Sequence, residues 1–210
     1  MTRGRFISLE GGEGAGKSTL LAGLRDYFVQ HGVELVQTRE PGGTPLGEAV
    51  RAIVLDPAKR GIAPEAELLL MFAARAQLVR ELIEPALAAG QWVLCDRFTD
   101  ASYAYQGGGR GQPRERIETL EHWATEGLKP DLTLLLDLPV ETGRARAAGR
   151  GEADRIESEA DAFFERVRST YRELARQEPR RFRVIDASQS VDGVLRSAID
   201  AVAPLLEQHV

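Results

Sequence analysis

A chain of 210 residues with 43% hydrophobic and 28% charged side chains carries enough apolar material for one full α/β core. Its net charge of −5 argues against a general polyanion binder, so no nucleic-acid partner is expected and any phosphate affinity must come from a local site. The single cysteine, Cys95, excludes an intrachain disulfide and a multi-cysteine zinc cluster, and suits a reducing cytoplasm; no apolar run is long enough for a membrane span.

No signal peptide is read at the start, because residues 1–5 run straight into a strand over 5–10. A helix over 17–31 follows, with Leu20, Leu21, Leu24 and Phe28 on one face. Between them lies Gly11-Gly12-Glu13-Gly14-Ala15-Gly16-Lys17-Ser18, which matches the phosphate-binding pattern G-x-x-x-x-G-K-S/T. Glycines let the backbone approach a phosphate without Cβ collisions, and successive N–H groups at a helix N-terminus form an anion-binding nest. Lys17 is placed to reach the β- and γ-phosphates of a nucleoside triphosphate, and Ser18 to offer a hydroxyl to Mg²⁺. Glu13 beside a bound triphosphate is electrostatically costly. It is expected either to point outward, toward a sugar hydroxyl of a second substrate, or to be a solvated loop carboxylate.

A second strand is predicted over 34–38, then a Pro- and Gly-rich loop over 40–45, and helices over 46–55 and 64–89. Phe72 and Arg75 share a face of the last helix. They would stack on and read a base, with core packing the alternative for Phe72. The strand over 92–95 ends at Asp96-Arg97, the position of a Walker-B-type carboxylate on Mg²⁺. Asp137, at the end of the strand over 132–137, competes for that role; a structural salt bridge is the alternative for the Asp96-Arg97 pair. A helix over 99–105 presents Ser102, Tyr105 and Gln106 as one polar stripe, directed at a ligand or simply solvated. A glycine-rich loop over 107–113 and a helix over 114–125 come next.

Beyond a helix over 140–149, residues 144–155 hold Arg144, Arg146, Arg150 and Arg155 among Gly and Ala. They form either an exposed basic face or a flap whose arginines close over a transferring phosphoryl group. A helix over 159–176, a strand over 182–186 and a helix over 191–206 complete the chain. Alternating strands and helices predict a single-domain α/β fold with a parallel sheet, and ligands in such sheets bind at the carboxyl ends of the strands.

Four blocks together resemble the bacterial type of the thymidylate kinase (dTMP kinase) family. They are Glu10 through Thr19, Thr38-Arg39-Glu40-Pro41-Gly42-Gly43-Thr44, Asp96-Arg97-Phe98 with Ser102 through Gln106, and Asp154-Arg155-Ile156-Glu157. The resemblance implies a P-loop nucleoside-monophosphate kinase fold, a five-stranded parallel sheet flanked by helices, with an arginine-rich LID at about 142–156, usually a homodimer. It implies Mg²⁺-dependent transfer of the ATP γ-phosphate to dTMP, giving ADP and dTDP on the way to dTTP. Residues Gly11 to Thr19 would hold ATP, and Ser18 and Asp96 the metal. Glu13 would face the 3′-hydroxyl, Phe72 would stack on thymine, and Arg75 would bond its 4-carbonyl. Ser102 and Gln106 would lie at the base edge, Pro41 beside the base, and Tyr105 against the 2′ position. Arg97, Arg39 and Arg51 would hold the dTMP phosphate, and Arg150 would join Lys17 and Arg97 in catalysis. The loop over 186–189 would lie beside adenine. Phe98 stands where the family more often has Tyr, which removes a hydroxyl. Gly14 stands where another subtype carries an Arg, and Arg150 is the matching cation. A different nucleotide kinase is a rival reading, and so is a nucleotide-dependent switch; the Asn-Lys-x-Asp guanine motif of the switches is missing from the sequence.

Overall fold

The computed structural model describes residues 3–148 and 153–207. Five parallel strands, β1 (Phe6–Gly11), β2 (Leu35–Arg39), β3 (Trp92–Asp96), β4 (Leu132–Asp137) and β5 (Phe182–Asp186), lie in the order β2-β3-β1-β4-β5. All five expected strands form, and none is displaced by more than one residue. Each inner strand is covered on both faces, which is why their sequences are nearly continuous apolar runs. Side chains alternate across β1. Ile7 and Leu9 pack under α1 (Lys17–Gln30) and α9 (Val191–Glu207), while Phe6 and Glu10 face the opposite layer. Register sets Leu9 beside Asp96, and Asp96 beside Arg39, so three strand ends open onto one place.

After α2 (Pro45–Leu55), the helical run expected over 64–89 forms, but not as one regular helix. It comprises α3 (Pro64–Leu78), a π-helical turn over Val79–Ile83, and α4 (Glu84–Ala88). Pro85 explains the break: it has no N–H to donate, and its ring would strike the carbonyl of Glu81, so the turn widens.

The glycine loop expected over 107–113 is helical in its first three residues, Gly107–Gly109. α5 (Thr99–Ser102) runs on as a π-helical segment over Tyr103–Gly109 before α6 (Arg114–Thr125). These glycines serve close packing. A Cβ on Gly108 would lie 2.1 Å from the Thr170 hydroxyl, and one on Gly109 would lie 2.4 Å from the Phe163 ring, both on α8 (Asp161–Gln177). The helix that carries Ser102, Tyr105 and Gln106 is thereby pressed directly against α8. Cys95 is buried as expected, and its thiol donates to the Arg97 carbonyl at 2.9 Å. Among the described residues no helix is long and apolar enough to cross a membrane.

Candidate active site

The loop between β1 and α1 is shaped by positive φ at Gly11 (144°), Gly14 (71°) and Gly16 (92°). At Gly14 the need is also spatial: a Cβ there would lie 2.0 Å from the carbonyl oxygen of Gly143, on α7 (Val140–Ala147). Gly16 caps α1 and Lys17 opens it. The Lys17 ammonium donates to the carbonyls of Gly11 and Gly12 at 3.2 and 3.3 Å, which folds its head back over the loop. Burial and the neighbouring Arg97 cation lower its pKa, with Glu13, Asp96 and Glu10 opposing. Ser18 and Thr19 are exposed at the mouth.

Beside this loop opens a cleft of ≈ 220 Å³ that Glu13, Lys17, Asp96, Arg97, Tyr105 and Gln106 help to line. Arg39, Pro41 and Arg51 complete its far wall. Asp96 ends β3 with its Oδ1 buried and accepting no hydrogen bond from the protein. That orphaned oxygen and the Ser18 hydroxyl, which line the same cleft, are hard oxygen donors of the kind that fit Mg²⁺. Among the described residues no group of three or more His, Cys, Asp or Glu is arranged for a metal. Mg²⁺ would therefore draw its other ligands from phosphate and water.

Glu13 does not project into solvent. Its Oε1 accepts from Arg97 at 2.7 Å and from the Tyr105 hydroxyl at 3.1 Å, so the cost of an acid next to phosphate is offset by a cation. Arg97 also lies over the Tyr105 ring, 4.7 Å from its centre. Across the cleft, Arg39 pairs with Glu48 at 3.0 Å and Arg51 donates to the Pro41 carbonyl at 3.1 Å.

Phe72, Arg75 and Ser102 come together one layer behind the cleft wall. The Arg75 guanidinium stacks over Phe72 at 4.6 Å and donates to Glu40 at 2.6 and 2.7 Å, to Ser102 at 3.0 Å and to the Phe98 carbonyl at 3.1 Å. Gln106, on the wall itself, commits its amide nitrogen to Glu67 at 2.9 Å. Its Oε1 is left as a buried acceptor without a protein partner.

Of the candidate flap cations, three are tied to neighbours. Arg144 donates to the Glu159 carbonyl at 2.7 Å, Arg146 to the Ala187 carbonyl at 2.9 Å, and Arg155 to the Val54 carbonyl at 2.7 Å and to Glu67 at 2.5 Å. Arg150 lies outside the described residues, as does the middle of the expected LID. Gln189 from the 186–189 loop shares a second cavity of ≈ 470 Å³ with Arg146, Gly16 and Thr19, directly beyond the phosphate loop.

Sequence reasoning assigned no role to Glu10, Glu40, Glu67 or Tyr171, although all four anchor the residues above. Glu10 carried the same signal as Asp96, an acid at the end of an apolar strand. Tyr171 carried none, since it reads as one more residue on the buried face of α8.

The family model described as "Thymidylate kinase" matches residues 9–198. A relative named "Thymidylate kinase" from Alkalilimnicola ehrlichii is 59% identical over 204 residues, 97% of this chain and 94% of the relative. Relatives of the same name from Chromohalobacter salexigens and Pseudomonas putida are 58% and 57% identical, covering 94% and 96% of this chain and 94% and 95% of their own lengths.

Proposed function

This chain belongs to the thymidylate kinase family and is a kinase that phosphorylates dTMP, and from that premise we infer how its cleft performs the transfer. ATP lies with its phosphates on residues Gly11 to Thr19 and its base toward Gln189. dTMP enters the cleft opposite, its phosphate held by Arg97 with Arg39 and Arg51.

The observation that carries this reading is the Gln106 oxygen. Thymine presents an N3–H donor next to its 4-carbonyl acceptor. Gln106 supplies a buried acceptor with no protein partner, and the Arg75 guanidinium, a pure donor, stands behind the same wall. Cytosine reverses both groups. Pro41 gives the ring an apolar wall, Phe72 and Ser102 keep Arg75 in place behind it, Glu13 faces the 3′-hydroxyl, and Tyr105 occupies the space a ribose 2′-hydroxyl would need.

A phosphate oxygen of dTMP attacks the γ-phosphorus in line. No general base is required, because the second pKa of a phosphate is about 6 and the attacking oxygen is already ionised. Lys17, Arg97 and Arg150 neutralise charge as it redistributes over the transferring group. Mg²⁺, held through Ser18 and Asp96, would screen the β- and γ-phosphates when bound. Closure of the segment around 142–156 keeps water from competing as acceptor. The apolar side chains left exposed at Leu46, Ile53, Leu69 and Trp123 support a homodimer, and the dTTP-supply role suits the cytoplasm.

The test is ADP release with Mg-ATP and a panel of dTMP, dUMP, UMP and dCMP. The highest kcat/KM is expected for dTMP, and Gln106→Leu should raise KM for dTMP about tenfold by removing the acceptor. Faster turnover of UMP than of dTMP would overturn the substrate assignment.

A further inference from the structure

Arg97 has a backbone conformation that residues with side chains rarely adopt, at φ 71°. Such a conformation persists only where its surroundings over-determine it. Its N–H donates to the Leu9 carbonyl at 2.9 Å, its carbonyl accepts from the Cys95 thiol at 2.9 Å, and the next N–H, that of Phe98, donates to Glu10 Oε1 at 2.7 Å. The guanidinium is held in turn. It donates to the Gly11 carbonyl at 3.0 Å, to Glu13 at 2.7 Å and to the Tyr171 hydroxyl at 3.3 Å. The Tyr171 hydroxyl in turn donates a hydrogen bond to Glu10 Oε2 at 2.7 Å. One buried carboxyl group therefore grips the arginine from both ends, through the peptide N–H that follows it and through a phenol at its head.

Glu10 is fully buried and is not part of the cleft lining, so it has no route to a substrate. We propose that Glu10, acting through Tyr171 and the Phe98 amide, is a positioning residue that presets the Arg97 guanidinium for the phosphate of the monophosphate acceptor. This rests on the reading of Arg97 as the acceptor-phosphate arginine. A long side chain fixed in advance loses less freedom on meeting its ligand, so the benefit falls on acceptor binding. Lys17 shares the Gly11 carbonyl with Arg97, but its hydrogen bonds go to the loop carbonyls and neither goes to Glu10 or Tyr171.

Steady-state kinetics on the full chain separate the possibilities. Tyr171→Phe removes one hydroxyl. Glu10→Gln keeps an acceptor for Phe98 and turns an amide donor toward the phenol. Each should raise KM for dTMP about tenfold with KM for ATP within about twofold, and the double variant should be no worse than the weaker single, since both break one path. Tyr171→Phe with KM for dTMP unchanged, or with both KM values raised alike, overturns the proposal, and this arm decides even if Glu10→Gln does not fold. Arg97→Ala separates the two layers. An unchanged KM for dTMP there defeats the acceptor-phosphate reading itself, whereas a large rise there with normal Tyr171→Phe and Glu10→Gln enzymes defeats only the positioning role.

Discussion

Arg168 clasps Asp137 with two hydrogen bonds, 2.7 Å from Nε and 3.1 Å from the terminal nitrogen, while Arg172 approaches to 3.9 Å. This neutralises the acid that rivals Asp96 at the strand ends and leaves Asp96 alone with an unclaimed oxygen. Asp96→Asn should therefore lower kcat about 100-fold or more at saturating Mg-ATP. Asp137→Asn should leave kcat within about threefold and lower stability by no more than about 1 kcal/mol. Parallel kinetic and urea-melt measurements on the two variants check this, and the reverse pattern would exchange the two assignments.

Lys17→Ala and Arg150→Ala should each reduce kcat by orders of magnitude, as expected of cations that act on a phosphoryl transition state. Single-turnover rates with dTMP and ATP are the measurement. A nearly normal rate in Arg150→Ala would remove that residue from the chemistry and leave Arg97 as the principal cation on the acceptor side.

The pair formed by Arg75 and Glu40 is almost wholly sealed, with side-chain exposures of 0% and 3%. Burial pushes the Glu40 carboxyl up in pKa, and Arg75 pulls against it. Arg75→Ala would strand that acid without its cation, a change that typically costs about 3–5 kcal/mol. Adding Glu40→Gln to Arg75→Ala should recover much of the loss. Chemical denaturation of the single and double variants reads the recovery; two independent, additive losses would contradict it.

Glu10 gives the protein a distinctive pH response. Burial first, and the Asp100 carboxylate second, raise it from 4.5 to about 8. The Tyr171 hydroxyl and Arg97 oppose the shift, and the Tyr171 phenol is itself held well above its usual range by burial and by Glu10. The folded chain then binds more protons than the unfolded chain between those two values. Unfolding free energy falls as pH rises through the window, by at most about 1.4 kcal/mol per pH unit. The contribution is complete below the lower value and lost above the upper one. Glu10→Gln cannot titrate, so wild type should lose stability relative to it between pH 5 and pH 8. Urea midpoints that move in parallel would show a carboxylate ionised throughout.

Periodicity exposed the sheet almost residue for residue, because inner parallel strands must be apolar on both sides and no other pattern satisfies that burial. The phosphate loop was equally plain, since its glycines and Lys17 have no common use in that order. Two features escaped. Glycine normally signals a turn, so Gly107 to Gly109 read as a loop when they belong to a helix that Gly108 and Gly109 let press on Thr170 and Phe163. Pairings such as Tyr171 with Glu10, separated by 161 positions, leave no periodic trace, because a buried phenol occupies the same slot in the pattern as phenylalanine.

The contact between Gly14 and Gly143 has a mechanical corollary. With two bare backbones touching and no side chain as cushion, α7 has no room to roll inward, and only outward excursions are open to it. The base of the arginine-bearing segment thus rests on the same glycine loop that we propose as the seat of the donor phosphates, as a lever rests on its fulcrum. Tilting the one must jostle the other, and an alanine at either position would prise the two apart.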